Sequence, residues 1–535
     1  MARTLYAVLS CAFLVAACSA PAALAASAAT EAAPAAVPNA AESASGGGAA
    51  ASGLPVSAAA ATLATPSRTP PAHPRGTLLA GPAPVPIDIV TETVEKLEPA
   101  LLRRLLKLRD GLLGVTGEPR CAIAIHSVRY QTVGGHGEPA DAGAVIMLPS
   151  GSHPQCAGPR PVMLYAHGTV LDRNFSMARL SGEARLVAAM FVAQGYIVVA
   201  PDYAGYGASS LSYHPYLNAE QQAADMVDAL RAARASYGVL GVRPAPRLYI
   251  TGYSQGGFVA LATQRAIERD HADEFRVTAA AGLSGPYALA RMADDIFSGR
   301  PNTGVTAYLP MLTTSGQRAG AALYAAPEDL YEARYASGIE GLFPGKVRLD
   351  DLVSKGRLPK GALFARDSQP QAADASAFFA DRNLVRTSYR NAYLEDMAAH
   401  PCDGDPAAPL ACEPRHSLRR WMVRNDLRSY APQSPLMLCG GGGDPVVPFA
   451  NATAAQAYFK ARGAPTVLVD LETVLPQDPY AAYKQGFARQ RQELYAEAVK
   501  KGNDPAKAVA DRYHTRLASM FCLMAARDFF NAAPQ

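Results

Sequence analysis

From residue 161 onward, short apolar runs alternate with longer segments whose apolar positions recur at helical spacing. The runs Pro161–Ala166, Gly195–Ala200, Leu248–Tyr253, Val277–Leu283 and Ser434–Cys439 are mostly apolar at odd and even positions alike. That is the pattern of strands covered on both faces. Glu183–Gln194, Ala219–Tyr237 and the segment opening at Val259 read as helices between them. Ala122–Val133 and Ala144–Leu148, on either side of the turn-rich Gly134–Gly143, read as an antiparallel pair at the start of the sheet. Val90–Leu113 has helical spacing and a basic face (Arg103, Arg104, Lys107, Arg109), read as a solvated surface. A last strand is expected at Thr466–Val474 and a last helix at Leu517–Phe530. The order predicts an α/β fold with a mostly parallel sheet and helices on both faces.

The long gap between Pro286 and Ser434 holds helix-like stretches, Pro/Gly interruptions and the only tryptophan, Trp421. A structureless loop of that length does not belong in a compact domain. A mainly helical cap at 289–432 is therefore expected, inserted between core segments 85–288 and 433–535. Upstream, residues 19–84 are nearly all Ala, Pro, Ser, Gly and Thr, too poor in large apolar side chains to offset the entropy of ordering. They read as a disordered tether.

Residues 1–18 carry an early Arg3, an apolar run and no acid, as a signal peptide does and a membrane span does not. The run ends Leu14-Val15-Ala16-Ala17-Cys18, resembling a bacterial lipobox, so Cys18 is the expected lipidation site. The reading is a membrane-anchored lipoprotein facing the periplasm or cell surface. The alternative cut, after Ala25, leaves a soluble secreted or periplasmic protein, and a mature N-terminus mapped to Ala26 would select it.

The 50 basic and 46 acidic residues nearly balance, and no long basic run points to nucleic acid. Of eight cysteines, six lie beyond the leader. Cys402 and Cys412 bracket a short loop that a disulfide would staple in an oxidising compartment, with Cys121 and Cys156, and Cys439 and Cys522, as further candidates whose connectivity stays open. No metal-ligand spacing or dinucleotide fingerprint is present, and the four glycines Gly440–Gly443 lack the Gly-Lys-Ser/Thr of a phosphate loop, so no cofactor is expected.

The chemistry concentrates at Gly252-Tyr-Ser-Gln-Gly-Gly257, which follows an apolar strand and opens a helix. In a G-x-S-x-G elbow, small residues two positions either side let the serine stand at a sharp strand-to-helix turn. Ser254 is then exposed as a nucleophile, and the Gln255 N–H points to where an oxyanion would form.

The strand ending His167-Gly168, then Gly195-Tyr-Ile-Val-Val-Ala-Pro-Asp-Tyr203, then the elbow, resembles the α/β-hydrolase superfamily. Within it, Ala166-His167-Gly168-Thr169, His214-Pro215-Tyr216-Leu217, the helix Asp225–Arg234 and Gly252–Gly257 resemble the secretory lipase family of bacteria and fungi, well over Pro161–Pro286 and loosely in the C-terminal third. The resemblance implies an eight-stranded, mostly parallel sheet and the chain order serine, acid, histidine. Asp444, after the strand Pro435–Cys439, is then the acid, with Asp470, Glu472 and Asp478 as substitutes. His514 is the only histidine after it; His271, His400 and His416 read as surface or cap residues, Asp202 as a turn residue. Carried over, Thr169 is the second oxyanion donor, with His167 buttressing its loop. The expected activity is that of an exported serine carboxylic-ester hydrolase, acting on a small-molecule or lipid ester through an acyl-enzyme. A peptidase of the same fold and a non-catalytic binding module are the alternatives.

Overall fold

The computed structural model describes residues 73–533 apart from 90–91, 108–111, 374 and 376. The leader, Cys18, Arg109 and the tether up to residue 72 lie outside the described residues. Twelve strands are described: β1 (Leu78–Pro84), β2 (Ile87–Ile89), β3 (Glu92–Val94), β4 (Lys96–Leu97), β5 (Ala122–Val133), β6 (Pro139–Ser150), β7 (Arg160–Ala166), β8 (Ile197–Pro201), β9 (Pro244–Tyr253), β10 (Val277–Leu283), β11 (Leu436–Gly440) and β12 (Thr466–Asp470). Ten form one sheet in the order β1-β5-β6-β8-β7-β9-β10-β11-β12, with β4 also on β5, while β2 and β3 pair separately. From β8 to β12 all neighbours are parallel; β1, β4, β5 and β6 add antiparallel pairs.

Alternation along β7 shows why the central strands read as unbroken apolar runs. Val162, Leu164 and Ala166 face one core with the helices Ala219–Ser236 and Gln255–Asp270. Met163 and Tyr165 face the other, with the helices Gly182–Met190 and Ser519–Ala532. Each face is covered, so no position is left for polar side chains.

Four expectations are corrected. The sheet has ten strands, not eight, because β1 and β4 extend the antiparallel edge. The tether does not run to residue 84: Gly76 N–H donates to Gln131 O at 2.8 Å, and β1 pairs along β5. Pro82 and Pro84 are tolerated there because an edge strand needs only one row of main-chain donors. The stretch read as one helix over 90–113 breaks into β3, β4 and helices Pro99–Lys107 and Leu112–Thr116. The turn-rich 134–143 turns only over 134–138, and its second half already belongs to β6, with Gln131 opposite Asp141 and Arg129 opposite Gly143.

The insertion after β10 carries the helices Leu289–Phe297, Val305–Arg318, Thr387–Ala399 and Ser417–Asn425 among shorter turns. It packs into the same compact unit as the core rather than forming one of its own. Three disulfides are present, Cys121–Cys156, Cys402–Cys412 and Cys439–Cys522. The last ties the end of β11 to the C-terminal helix. Among the described residues no helix is long and apolar enough to cross a membrane.

Candidate active site

The elbow is steric in origin. Ser254 has φ 60° and ψ −122°, a backbone region that non-glycine residues avoid and that persists only where the surroundings enforce it. A Cβ on Gly252 would come within 2.4 Å of the Ala166 and Gly256 carbonyl oxygens, and one on Gly256 within 2.0 Å of Ala166 O. Both positions must therefore lack side chains for β9 to turn into the helix beside β7. The Ser254 N–H donates to Leu283 O at 2.8 Å, tying the turn to the end of β10.

Ser254, His514 and Asp444 meet although they come from distant parts of the chain. His514 Nε2 lies 2.8 Å from Ser254 Oγ, and its Nδ1 lies 2.7 Å from Asp444 Oδ2. Asp444 Oδ1 accepts the Val446 and Val447 N–H groups at 2.9 and 3.1 Å, so the carboxylate is held by its own turn. His514 sits in a π-helical turn, Tyr513–Ala518, which aims its ring back at the sheet end. Both His514 and Asp444 are buried. Tyr253 OH donates to the His514 carbonyl, fixing that turn to the elbow strand.

The run Gly440–Gly443 serves this geometry. A Cβ on Gly441 would meet Tyr513 OH at 2.2 Å, and one on Gly440 would meet the Phe449 ring at 2.9 Å. Gly441 thus makes room for Tyr513, the residue before His514. Of the substitute acids, Glu472 bonds to Tyr513 OH and to Gly443 N, Asp478 pairs with Lys484 at 2.6 Å, and Asp470 accepts from Thr473. His271 lies 3.4 Å from Arg231, and His416 packs between Tyr389 and Tyr393.

Gln255 is the first residue of its helix, where main-chain N–H groups have no intrahelical acceptor. Its side-chain amide lies 2.7 Å from His214 Nε2. Thr169 Oγ1 lies 3.1 Å from Tyr216 OH. His167 is fully buried, with ring nitrogens 2.7 Å from Gly168 O and 3.1 Å from Asp202 O, and burial pushes it down to about 4. Between those two carbonyls it buttresses the loop. Asp202 accepts the Met177 N–H at 2.6 Å and is likewise structural.

Two cavities converge on Ser254. One, about 80 Å³, is lined almost wholly by apolar side chains, most of them from the insertion, including Leu289, Met292, Ile296, Leu309 and Leu312. The other, about 610 Å³, is mixed but the more polar of the two and includes His514, Glu183, Arg185, Thr515 and Arg516. Thr169 and Tyr308 border both. Sequence reasoning missed Glu183 and His214. Glu183 was visible only as the one acid in the first turn of its helix, and His214 only as part of a motif with no assigned role.

The Secretory lipase family model matches residues 174–305. A rice cell wall degrading esterase, LipA from Xanthomonas oryzae, is 29% identical, with TM-score 0.59 over 74% of this chain and 91% of that one. A putative hydrolase from Legionella pneumophila is 21% identical, with TM-score 0.59 over 82% and 95%, and shares the fold. No curated protein matched. With the sheet order and helices on both faces, these similarities make the chain an α/β-hydrolase of the lipase and esterase kind, resembling the secretory lipases.

Proposed function

We propose that the protein is an exported serine carboxylic-ester hydrolase in which Ser254, His514 and Asp444 act in sequence. The unbroken hydrogen-bonded chain from Asp444 through His514 to Ser254 carries this reading. Ser254 Oγ attacks the ester carbonyl while His514 Nε2 takes its proton. Asp444 holds Nδ1 in the protonated tautomer and stabilises the imidazolium. The tetrahedral oxygen is received by the main-chain N–H groups of Gln255 and Thr169, where losing one donor costs about 3 kcal/mol. His514 then protonates the leaving alcohol, and a water activated by the same ring releases the acid.

His514 borders the polar cavity and not the apolar one. The alcohol, which must reach its Nε2, therefore leaves through the polar side, and the acyl chain occupies the apolar cavity. Three disulfides among the described residues fit an oxidising compartment and support export. Anchoring through a lipidated Cys18 completes the reading; a mature chain that begins at Ala26 would remove it.

The decisive experiment compares p-nitrophenyl ester turnover and fluorophosphonate labelling in the wild type and Ser254→Ala. Both are expected to vanish in the variant; retained turnover would refute the scheme.

A further inference from the structure

Glu183 lies in the first turn of the helix Gly182–Met190, half-buried in the polar cavity that Ser254 and His514 share. Its carboxylate accepts the Tyr165 hydroxyl at 2.6 Å and the Gly168 N–H at 3.1 and 3.2 Å, one distance to each oxygen. A Cβ on Gly168 would lie 3.4 Å from Glu183 Oε2 and 3.7 Å from Ser254 Cβ. Carboxylate, loop and nucleophile are thus stacked through a residue with no side chain.

Resting on the serine-esterase reading, we propose that Glu183 is a positioning residue that pins the Gly168–Thr169 loop for oxyanion stabilisation. Its bond to Gly168 uses that residue's N–H, which leaves the N–H of Thr169 to serve the tetrahedral oxygen. A bare carboxylate this close would oppose an oxyanion. Here two donors, Tyr165 O–H and Gly168 N–H, draw on its charge and turn it toward the sheet.

Burial raises the Glu183 carboxyl above its usual value, while the Tyr165 and Gly168 bonds and the charge of His514 act against that rise. The other ionisable groups around it are Tyr165 and Tyr253 from the sheet, Tyr203 from the loop after β8, Arg185 from its own helix and Arg516 from the π-helical turn.

The test measures kcat and KM on p-nitrophenyl esters for Glu183→Ala, Glu183→Gln and Tyr165→Phe in the full chain. Glu183→Ala is expected to lower kcat about 10- to 100-fold with KM within about twofold, because a displaced oxyanion donor acts only in the transition state. Glu183→Gln keeps an oxygen for Gly168 N–H and should restore kcat to within a few-fold of wild type. Tyr165→Phe should give a smaller kcat loss of the same kind, and it carries the test if Glu183→Ala does not fold. Wild-type kcat in Glu183→Ala, a change in KM alone, or a Glu183→Gln variant no better than Glu183→Ala would overturn the assignment. Turnover that survives Ser254→Ala removes the esterase reading itself, whereas Ser254-dependent turnover indifferent to Glu183 removes only this inference.

Discussion

His214 takes no part in the proposed proton relay, yet it determines how the residue after the nucleophile is held. Its Nδ1 faces the Ala204 carbonyl at 2.9 Å and must donate, so Nε2 accepts the Gln255 amide at 2.7 Å. Only a neutral ring does both, and burial pushes His214 down to about 3. A histidine lowered on folding contributes stability that is complete above its unfolded value near 6.5 and is lost as the pH falls toward the folded one. His167, at about 4, acts in the same direction. Buried Asp202 and Asp225, raised by desolvation to about 6 and about 7, act oppositely: their contribution is complete below about 3.9 and lost as pH rises through those values. The wild-type profile between pH 4 and 7 is therefore flattened, and the histidine emerges only by difference. His214→Gln should be most destabilising at pH 7, and its cost should shrink by roughly 3 kcal/mol at pH 4, read from denaturant unfolding at each pH. A pH-independent cost would mean that His214 is not held neutral.

At the scale of elements, what was legible followed from burial on both faces. β7, β8, β9, β10 and β11 announce themselves as apolar runs because most of their side chains meet one core or the other. The elbow was legible because Gly252 and Gly256 are required sterically wherever a strand turns this sharply into a helix. His514 and Asp444 were reachable through chain order, which carries no geometry. β1 was hidden because edge pairing uses the main chain and leaves composition free to look like a linker. The helix Ala481–Lys500 was missed because it buries only Lys484, Phe487 and Ala498, too few for a periodic signal. Glu183 was beyond reach for another reason: its partners Tyr165 and Gly168 precede it by 18 and 15 residues, and only the fold closes that distance. The Cys439–Cys522 bridge was among the candidate pairs of the sequence, and the fold closes it. It joins the strand that leads to Asp444 to the helix that follows His514, so the two supports of the relay are covalently tied.

Across the whole molecule the insertion builds one wall of the candidate site. Asn302 Nδ2 donates to Val446 O at 2.7 Å and Thr303 N–H to Pro445 O at 2.9 Å, so the insertion grips the turn that carries Asp444. Its helices Leu289–Phe297 and Val305–Arg318 supply most of the apolar wall beside Ser254. Chain length should then be set by how much of that wall an acyl tail reaches. Ala293 lines the cavity and is buried, so Ala293→Leu adds three carbons where a tail would lie, at a position that is none of the residues proposed for the relay or the oxyanion site. Each methylene excluded forfeits about 0.8 kcal/mol of burial, or about fourfold in kcat/KM. Across p-nitrophenyl acetate to laurate, the variant should match wild type on the shortest esters and fall progressively behind on longer ones. An equal loss at every length would place the acyl chain outside this cavity and reverse the assignment of the two sides.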